Sequence, residues 1–275
     1  MYKESVIKYF ADKAAEYDLV EHQSYWRLSD ALLWDSIQTY VIPKLSKDFN
    51  FCDAGGGTGR WSLKLLENYA DCSGTTIDFS PEMLAVAEQK ADKDNLRSRW
   101  KFIQQDLQNL SGVTDKYDLI ISFHNVIGFV EDTDKMFAEL KNILKKDGIF
   151  CCLVPNMYHA AFFNTKLGNI EEANKCLSGR GRFTSQMPYI NMFSPNTIKE
   201  MFEKHGMEVV LCSGFPNMLY PGYQETQLHG QTKGLSDMLE DKDIFDKIFN
   251  MEKENIGNSD IAGRGNNIFI IAKNK

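Results

Sequence analysis

Apolar residues recur along this chain in two alternating periods. Val6, Ile7, Phe10, Ala14 and Tyr17 fall at helical spacing and predict a first amphipathic helix. Trp26, Leu33, Ile37 and Tyr40 mark one face of a second, over about 26–41, which Pro43 ends. The period then shortens. Residues up to Asp53 read as a strand, followed by a helix bearing Leu63, Leu66 and Tyr69. Strands are predicted again at 72–78, 100–104, 117–123 and 148–154. The run at 117–123 carries Leu119-Ile120-Ile121 without alternation, as in a strand buried on both faces. Met136, Phe137, Leu140, Ile143 and Leu144 mark a helix that Lys146-Asp147-Gly148 should stop.

Five such alternations predict an α/β chain with a doubly wound parallel sheet and a crevice at the carboxyl ends of its strands. From 155 to 191 the periodicity weakens. Ser194 and Pro195 then cap and start a helix to His205. Segments 207–215 and 267–272 read as the last two strands, a closing antiparallel pair. Between them, 216–234 is rich in loop residues and 235–251 reads as one charged amphipathic helix. The expectation is a single domain with a seven-stranded, Rossmann-like sheet, mostly parallel with an antiparallel last strand. Its parts are an N-terminal helical cap (1–45), a core (46–155), a substrate-covering insertion or lid (156–193) and a C-terminal part with substrate loops (194–275).

The most informative stretch is Phe51-Cys52-Asp53-Ala54-Gly55-Gly56-Gly57-Thr58-Gly59-Arg60, a strand, a tight turn and a helix start. Glycines there let the backbone take positive φ and let a ligand come close, and the first N–H groups of the helix face the crevice. The dinucleotide fingerprint G-x-G-x-x-G fails in both registers, because its third glycine falls on Arg60 or on Ser62. Asp53-x-Gly55-x-Gly57-x-Gly59 fits instead. It resembles the first motif of class I S-adenosylmethionine-dependent methyltransferases, and Phe10-Ala11-Asp12-Lys13-Ala14-Ala15-Glu16-Tyr17-Asp18 is similar to the segment that folds over the cofactor in the ubiquinone- and biotin-pathway members.

Later acids extend the pattern. Asp78 ends the second strand 25 positions after Asp53, close to the offset of about 20 at which an acid meets ribose hydroxyls. Ser80-Pro81-Glu82 already supplies a helix cap, which leaves Asp78 free for that task. Asp106 follows the third strand, where the resemblance implies an acceptor for the adenine amino group with Leu107 packed on the ring. Asp53-Ala54-Gly55-Gly56-Gly57, the start of the helix at Trp26-Arg27 and Phe123-His124-Asn125-Val126 also look like the bacterial tRNA 5-carboxymethoxyuridine methyltransferases. That resemblance implies that Arg27 grips the cofactor carboxylate, Gly55, Gly56 and Gly57 line the turn, and His124 sits beside the sulfonium, with Tyr17, Phe79 and Met83 completing the cofactor site. It is good over the cofactor half and thin beyond Pro155.

Composition narrows the rest. An apolar fraction of 43% and a charged fraction of 25% are those of a globular protein, and no apolar run is long enough to span a bilayer. The chain opens on Met1-Tyr2-Lys3-Glu4-Ser5 without a secretory pattern, and Cys52, Cys72, Cys151, Cys152, Cys176 and Cys212 show no C-x-x-C spacing. Reduced core thiols and a cytoplasmic location are expected. A formal charge of −7 argues against broad nucleic-acid binding, though not against one basic patch.

No Asn/Asp-Pro-Pro-Tyr, no Pro-Cys and no acid cluster for a magnesium ion follows the fourth strand. The sequence therefore presents no strong base, nucleophile or metal motif. His124, Tyr158 and Tyr189 are the catalytic candidates; for His124, cofactor contact is the favoured reading. Asn125, Tyr158 and the pair Arg180 and Arg182 are the substrate-binding candidates, the arginines for a carboxylate or phosphate. His159 reads as a satisfied helix histidine. The expected function is methyl transfer from S-adenosylmethionine to an oxygen, nitrogen or carbon of a small metabolite, an anionic one among the options. Carboxyl methylation of a tRNA wobble uridine is the runner-up, followed by another reaction of the sulfonium such as cyclisation; a subunit that binds cofactor without turnover is disfavoured. Homodimerisation is left open, and no membrane partner is expected.

Overall fold

The computed structural model describes residues 2–227 and 229–275. Its centre is a seven-stranded sheet made of β1 (Asn50–Ala54), β2 (Ser73–Asp78), β3 (Trp100–Gln104), β4 (Tyr117–Ser122), β5 (Leu144–Pro155), β8 (Met207–Phe215) and β9 (Asn267–Asn274). Two short strands, β6 (Arg180–Gly181) and β7 (Ile190–Asn191), form a separate hairpin-like pair. The order across the sheet is β3-β2-β1-β4-β5-β9-β8. The first five pair in parallel, and β9 runs antiparallel between β5 and β8. The strand order reverses between β1 and β4, which opens a crevice at their carboxyl ends.

Side-chain alternation divides the sheet into two cores. Phe51 of β1, Leu119 and Ile121 of β4 and Phe269 of β9 face one core, which the helices Ser24–Tyr40 and Arg60–Asn68 cover with Tyr25, Leu28, Leu33, Trp61 and Leu65. Cys52, Ile120, Phe150 and Ile268 face the other, which takes Met136, Phe137 and Phe202 from the helices Thr133–Ile143 and Pro195–Lys204. Each buried side chain of this size contributes about 1.5–3 kcal/mol, so both faces anchor the strand ends that carry the crevice. The cap on Pro195 is a full box, with Ser194 and Thr197 each bonding the other's backbone. All six cysteines are buried and free. Among the described residues no helix is long and apolar enough to cross a membrane.

Several predicted bounds shift. The first helix is Tyr2–Ala11, and Tyr17 belongs instead to a 3-10 turn, Tyr17–His22. β5 begins at Leu144, directly after the preceding helix; Asp147 at φ 64° makes an irregularity inside the strand rather than a helix stop. The aperiodic stretch after Pro155 contains two helices, Met157–Lys166 and Ile170–Leu177, whose partners are one another and the β6–β7 pair. The single helix expected over 235–251 is two, Lys233–Glu240 and Lys242–Glu254. Asp241 divides them, its carboxylate accepting from the backbone N–H groups of Asp243 and Ile244.

Candidate active site

β1 delivers Asp53 to the crevice and the glycine turn carries the chain into the helix Arg60–Asn68. A Cβ on Gly56 would lie 2.5 Å from Asp53 Cγ and 2.8 Å from Thr76 Cγ2, so only glycine lets the turn pass over the acid. Gly57 has φ 54° and donates its N–H to Asp78 Oδ2 at 2.9 Å. A Cβ there would meet nothing nearer than Met83 Sδ at 3.7 Å, because this position faces the open crevice.

The two strand-end acids are buried. Asp53 is 3% exposed and accepts from Ser62 Oγ at 2.8 Å. Burial pushes its pKa up to about 7 despite that hydrogen bond, with the Asp78 charge adding to the rise. Asp78, 7% exposed, accepts from the N–H groups of Gly57 and Ser80, and burial pushes it up to about 6. Ser80 caps the next helix, accepting from Met83 N. Asp106 differs. Burial works to raise its pKa, but hydrogen bonds from Lys3 and Gln108 win and hold the carboxyl below its usual range.

These residues line a crevice of about 1040 Å³ including its mouth. Tyr17, Asp53, Gly55, Gly56, Gly57, Asp78, Phe79, Met83, Asp106, Leu107 and His124 all contribute to its wall. The first helix closes it from above with Tyr2, Lys3, Val6 and Phe10. The 3-10 turn is clasped to the glycine turn: Asp18 accepts from Thr58 Oγ1 at 2.6 Å and pairs with Lys90 Nζ at 2.6 Å.

The crevice thus lies at the β1–β4 switch point, with one acid at the end of each of β1 and β2 and one after β3. The comparisons with known proteins support a class I S-adenosylmethionine-dependent methyltransferase. Residues 51–148 match the family described as a methyltransferase domain. The chain is 21% identical over 188 residues to the tRNA 5-carboxymethoxyuridine methyltransferase of Escherichia coli O157:H7, covering 68% of this chain and 70% of that one. It is 32% identical over 120 residues to malonyl-[acyl-carrier protein] O-methyltransferase 1 of Ilyobacter polytropus, 41% of this chain and 42% of that protein. The structure resembles an S-adenosylmethionine-dependent methyltransferase of Clostridium acetobutylicum with a TM-score of 0.52 and 14% identity, over 91% of this chain and 92% of that one. It is an S-adenosylmethionine-dependent methyltransferase, and the crevice fits that cofactor. It offers buried carboxylates able to accept from an ammonium and from hydroxyls, a glycine turn open to the crevice, and apolar wall from Phe79 and Leu107.

Not every expected residue of this methyltransferase reaches the crevice. Arg27 lies outside it: its guanidinium is bound to Glu240 Oε1 at 2.9 Å. The arginine in the crevice wall is Arg60, buried and held by Glu21 (2.6 Å) and by Asp30. Tyr158 is 48% exposed and lines neither cavity described here. Tyr189 is engaged within the insertion, where its hydroxyl bonds Glu172 Oε1 at 2.7 Å. Arg182 pairs with the same carboxylate at 3.0 Å, while Arg180 bonds Asn191 Oδ1 and lies over the ring of Tyr2.

A second cavity of about 1020 Å³ adjoins the crevice, and Phe10, Tyr17, Arg60, His124 and Phe129 line both. His124 and Asn125 stand at this junction, each at positive φ (55° and 69°). That conformation costs a non-glycine residue about 1–2 kcal/mol, a strain found where side-chain placement matters. The imidazole Nε2 of His124 accepts from Trp61 Nε1 at 2.9 Å. Tryptophan can only donate, so the His124 proton sits on Nδ1. Burial lowers its pKa to about 4, more than the nearby Asp30 raises it, and the ring is neutral near pH 7. Asn125 receives a hydrogen bond from Asn267 Nδ2 on its Oδ1.

Arg60 and Trp61 carry no expected role from the sequence, although they directly follow the glycine turn. His159 was expected to be a satisfied helix histidine; it is 4% exposed, and neither ring nitrogen has a hydrogen-bond partner among the described residues.

Proposed function

We propose that this methyltransferase acts on a small metabolite seated in the second cavity, with the transferred methyl crossing at the junction of the two chambers. The observation that carries this is the shared wall of Phe10, Tyr17, Arg60, His124 and Phe129. S-adenosylmethionine supplies an already activated methyl on its sulfonium. The protein's part is to hold an acceptor oxygen, nitrogen or carbon in line and to keep water out. Asp53 faces the cofactor's ammonium, Asp78 takes ribose hydroxyls, and Asp106 with Leu107 takes the adenine. Phe10 and Tyr17 close the crevice. His124 acts as wall rather than base, because its one free nitrogen already carries a proton.

The insertion 156–193 serves as the roof of the acceptor chamber, contributing His159, Phe183 and Met187. The runner-up, carboxyl methylation of a tRNA, draws on the relative in Escherichia coli O157:H7. The engagement of Arg182 by Glu172 and of Arg180 by Asn191 and Tyr2 weighs against a phosphate-binding face there. A separate chamber for a second substrate favours transfer over an intramolecular reaction of the sulfonium.

The test is methyl-labelled S-adenosylmethionine with purified protein, total tRNA and a small-molecule extract, fractionated by size. Label among small molecules supports this reading and supplies the product. Label in the RNA fraction would replace it with the tRNA reading, and cofactor consumed with no label transferred would replace it with the rearrangement.

A further inference from the structure

The second cavity is walled largely by rings and apolar groups, among them Tyr9, Trp26, Phe183, Met187 and Pro221. Its polar side chains are mostly committed to the protein. Asn267 donates to Asn125, and Asn266 donates to Asn267. Glu225 accepts from the N–H and hydroxyl of Thr232, and Thr226 donates to Tyr223 O. Arg60 is held by Glu21 and Asp30, His124 accepts from Trp61, and the Lys13 ammonium sits 3.6 Å above the ring of Tyr9.

Among the described residues, His159 is the side chain of this wall whose fully buried polar atoms lack a hydrogen-bond partner. Its helix is fixed at the N-terminus by Asn156, whose carbonyl oxygen accepts from Tyr158 N and whose amide donates to Gly263 O and Gly265 O. The imidazole is thereby held in the wall, between Tyr220 at 4.9 Å and Phe183 at 6.2 Å between ring centroids. A neutral imidazole carries one donor and one acceptor. Neither is matched among the described residues, in a site too buried for the group to be indifferent to that loss. Burial lowers its pKa to about 4, so the ring is neutral near pH 7 and suited to a neutral polar partner.

We propose that the acceptor is a flat aromatic molecule bearing a hydroxyl, and that His159 anchors it by accepting the hydroxyl's hydrogen bond on one ring nitrogen. The rings of the wall take the aromatic body, and the hydroxyl bonds the imidazole whose buried nitrogens no described residue matches. The proposal rests on the assignment of this cavity to the acceptor.

The test uses the full chain saturated with S-adenosylhomocysteine and two probes, 4-methylphenol and toluene, which differ by one hydroxyl. A site built to bond a hydroxyl rejects the analogue that lacks it. The wild type should bind 4-methylphenol at least about tenfold more tightly than toluene, a difference of about 1.4 kcal/mol. In protein carrying nitrogen-15 histidine, the ring signals of His159 should move with 4-methylphenol and stay put with toluene. His159→Phe keeps a flat buried ring and should erase the preference while leaving S-adenosylhomocysteine affinity unchanged. Equal affinity for the two probes, binding of neither, or unmoved His159 signals would overturn the anchor. The nitrogen-15 measurement needs no variant, so it decides even if His159→Phe does not fold. Failure to bind S-adenosylhomocysteine would overturn the methyltransferase site itself, a separate readout.

Discussion

The ammonium of Lys3 lies 2.6 Å from Asp106 Oδ2, so the first helix is pinned across the crevice by the acid that follows β3. Asp106 is also the group proposed to accept the adenine amino hydrogen bond, which makes Lys3 and the cofactor rivals for one carboxylate. The pair is partly exposed, with side-chain accessibilities of 54% and 25%, and such pairs contribute no more than about 1 kcal/mol. Lys3→Met should therefore tighten S-adenosylhomocysteine binding by up to about fivefold in calorimetry, with the gain shrinking as salt is raised. Weaker binding instead would mean that the helix supports the site rather than competing for it.

Asp78 offers a sharper case. Its carboxylate is oriented by two backbone N–H groups, from Gly57 and Ser80, and has lone pairs left over for ligand hydroxyls. Asp78→Ala should weaken cofactor binding by about 1–3 kcal/mol, the cost of losing a charged hydrogen-bond partner in a buried site. Unchanged calorimetric affinity would remove the ribose assignment.

Protonation couples Asp53 to the same event. With a pKa pushed up to about 7 by burial, this acid is half protonated near neutrality in the free protein. A ligand ammonium beside it favours the carboxylate, so binding lowers that pKa and expels a proton between the bound and free values. Affinity must then rise with pH, and level off above about 7. S-adenosylhomocysteine should bind about tenfold more tightly at pH 8 than at pH 6, with proton release detectable by calorimetry in buffers of differing ionisation heat. Asp53→Asn should flatten the profile. A flat wild-type profile would separate Asp53 from the ammonium.

Much of this was legible because it is local. Each strand-end acid and its turn lie within a few residues, so Asp53, Asp78 and the glycines announce the crevice from the sequence. Helix bounds were harder where one local cap overrides the periodicity, as at Asp241, whose carboxylate caps a new helix in the middle of a continuous amphipathic pattern. The second cavity, proposed to hold the acceptor, was the least legible. It gathers Lys13, Trp26, His159 and Asn267 from four distant segments, and no spacing rule connects them. His159 shows why. A histidine on an apolar helix looks satisfied until one knows that the groups facing it are rings.

The exchange of Arg27 for Arg60 carries the last prediction. A resemblance at Trp26-Arg27 put Arg27 on the cofactor carboxylate, but its side chain is bound to Glu240 and is 43% exposed. Arg60 is 9% exposed and lines both chambers. Arg27→Ala should leave S-adenosylhomocysteine affinity within about twofold of wild type, since only an exposed ion pair is lost. Arg60→Ala should behave differently. It leaves the buried Asp30 carboxylate without its cation, a change that costs about 3–5 kcal/mol in other proteins. Lowered stability in urea and lost cofactor binding are both expected, because Arg60 lines the crevice and ties down the 3-10 turn that carries Glu21 and Tyr17. Lost binding in Arg27→Ala with intact stability would restore the original assignment and imply that the helix Ser24–Tyr40 rotates when cofactor enters.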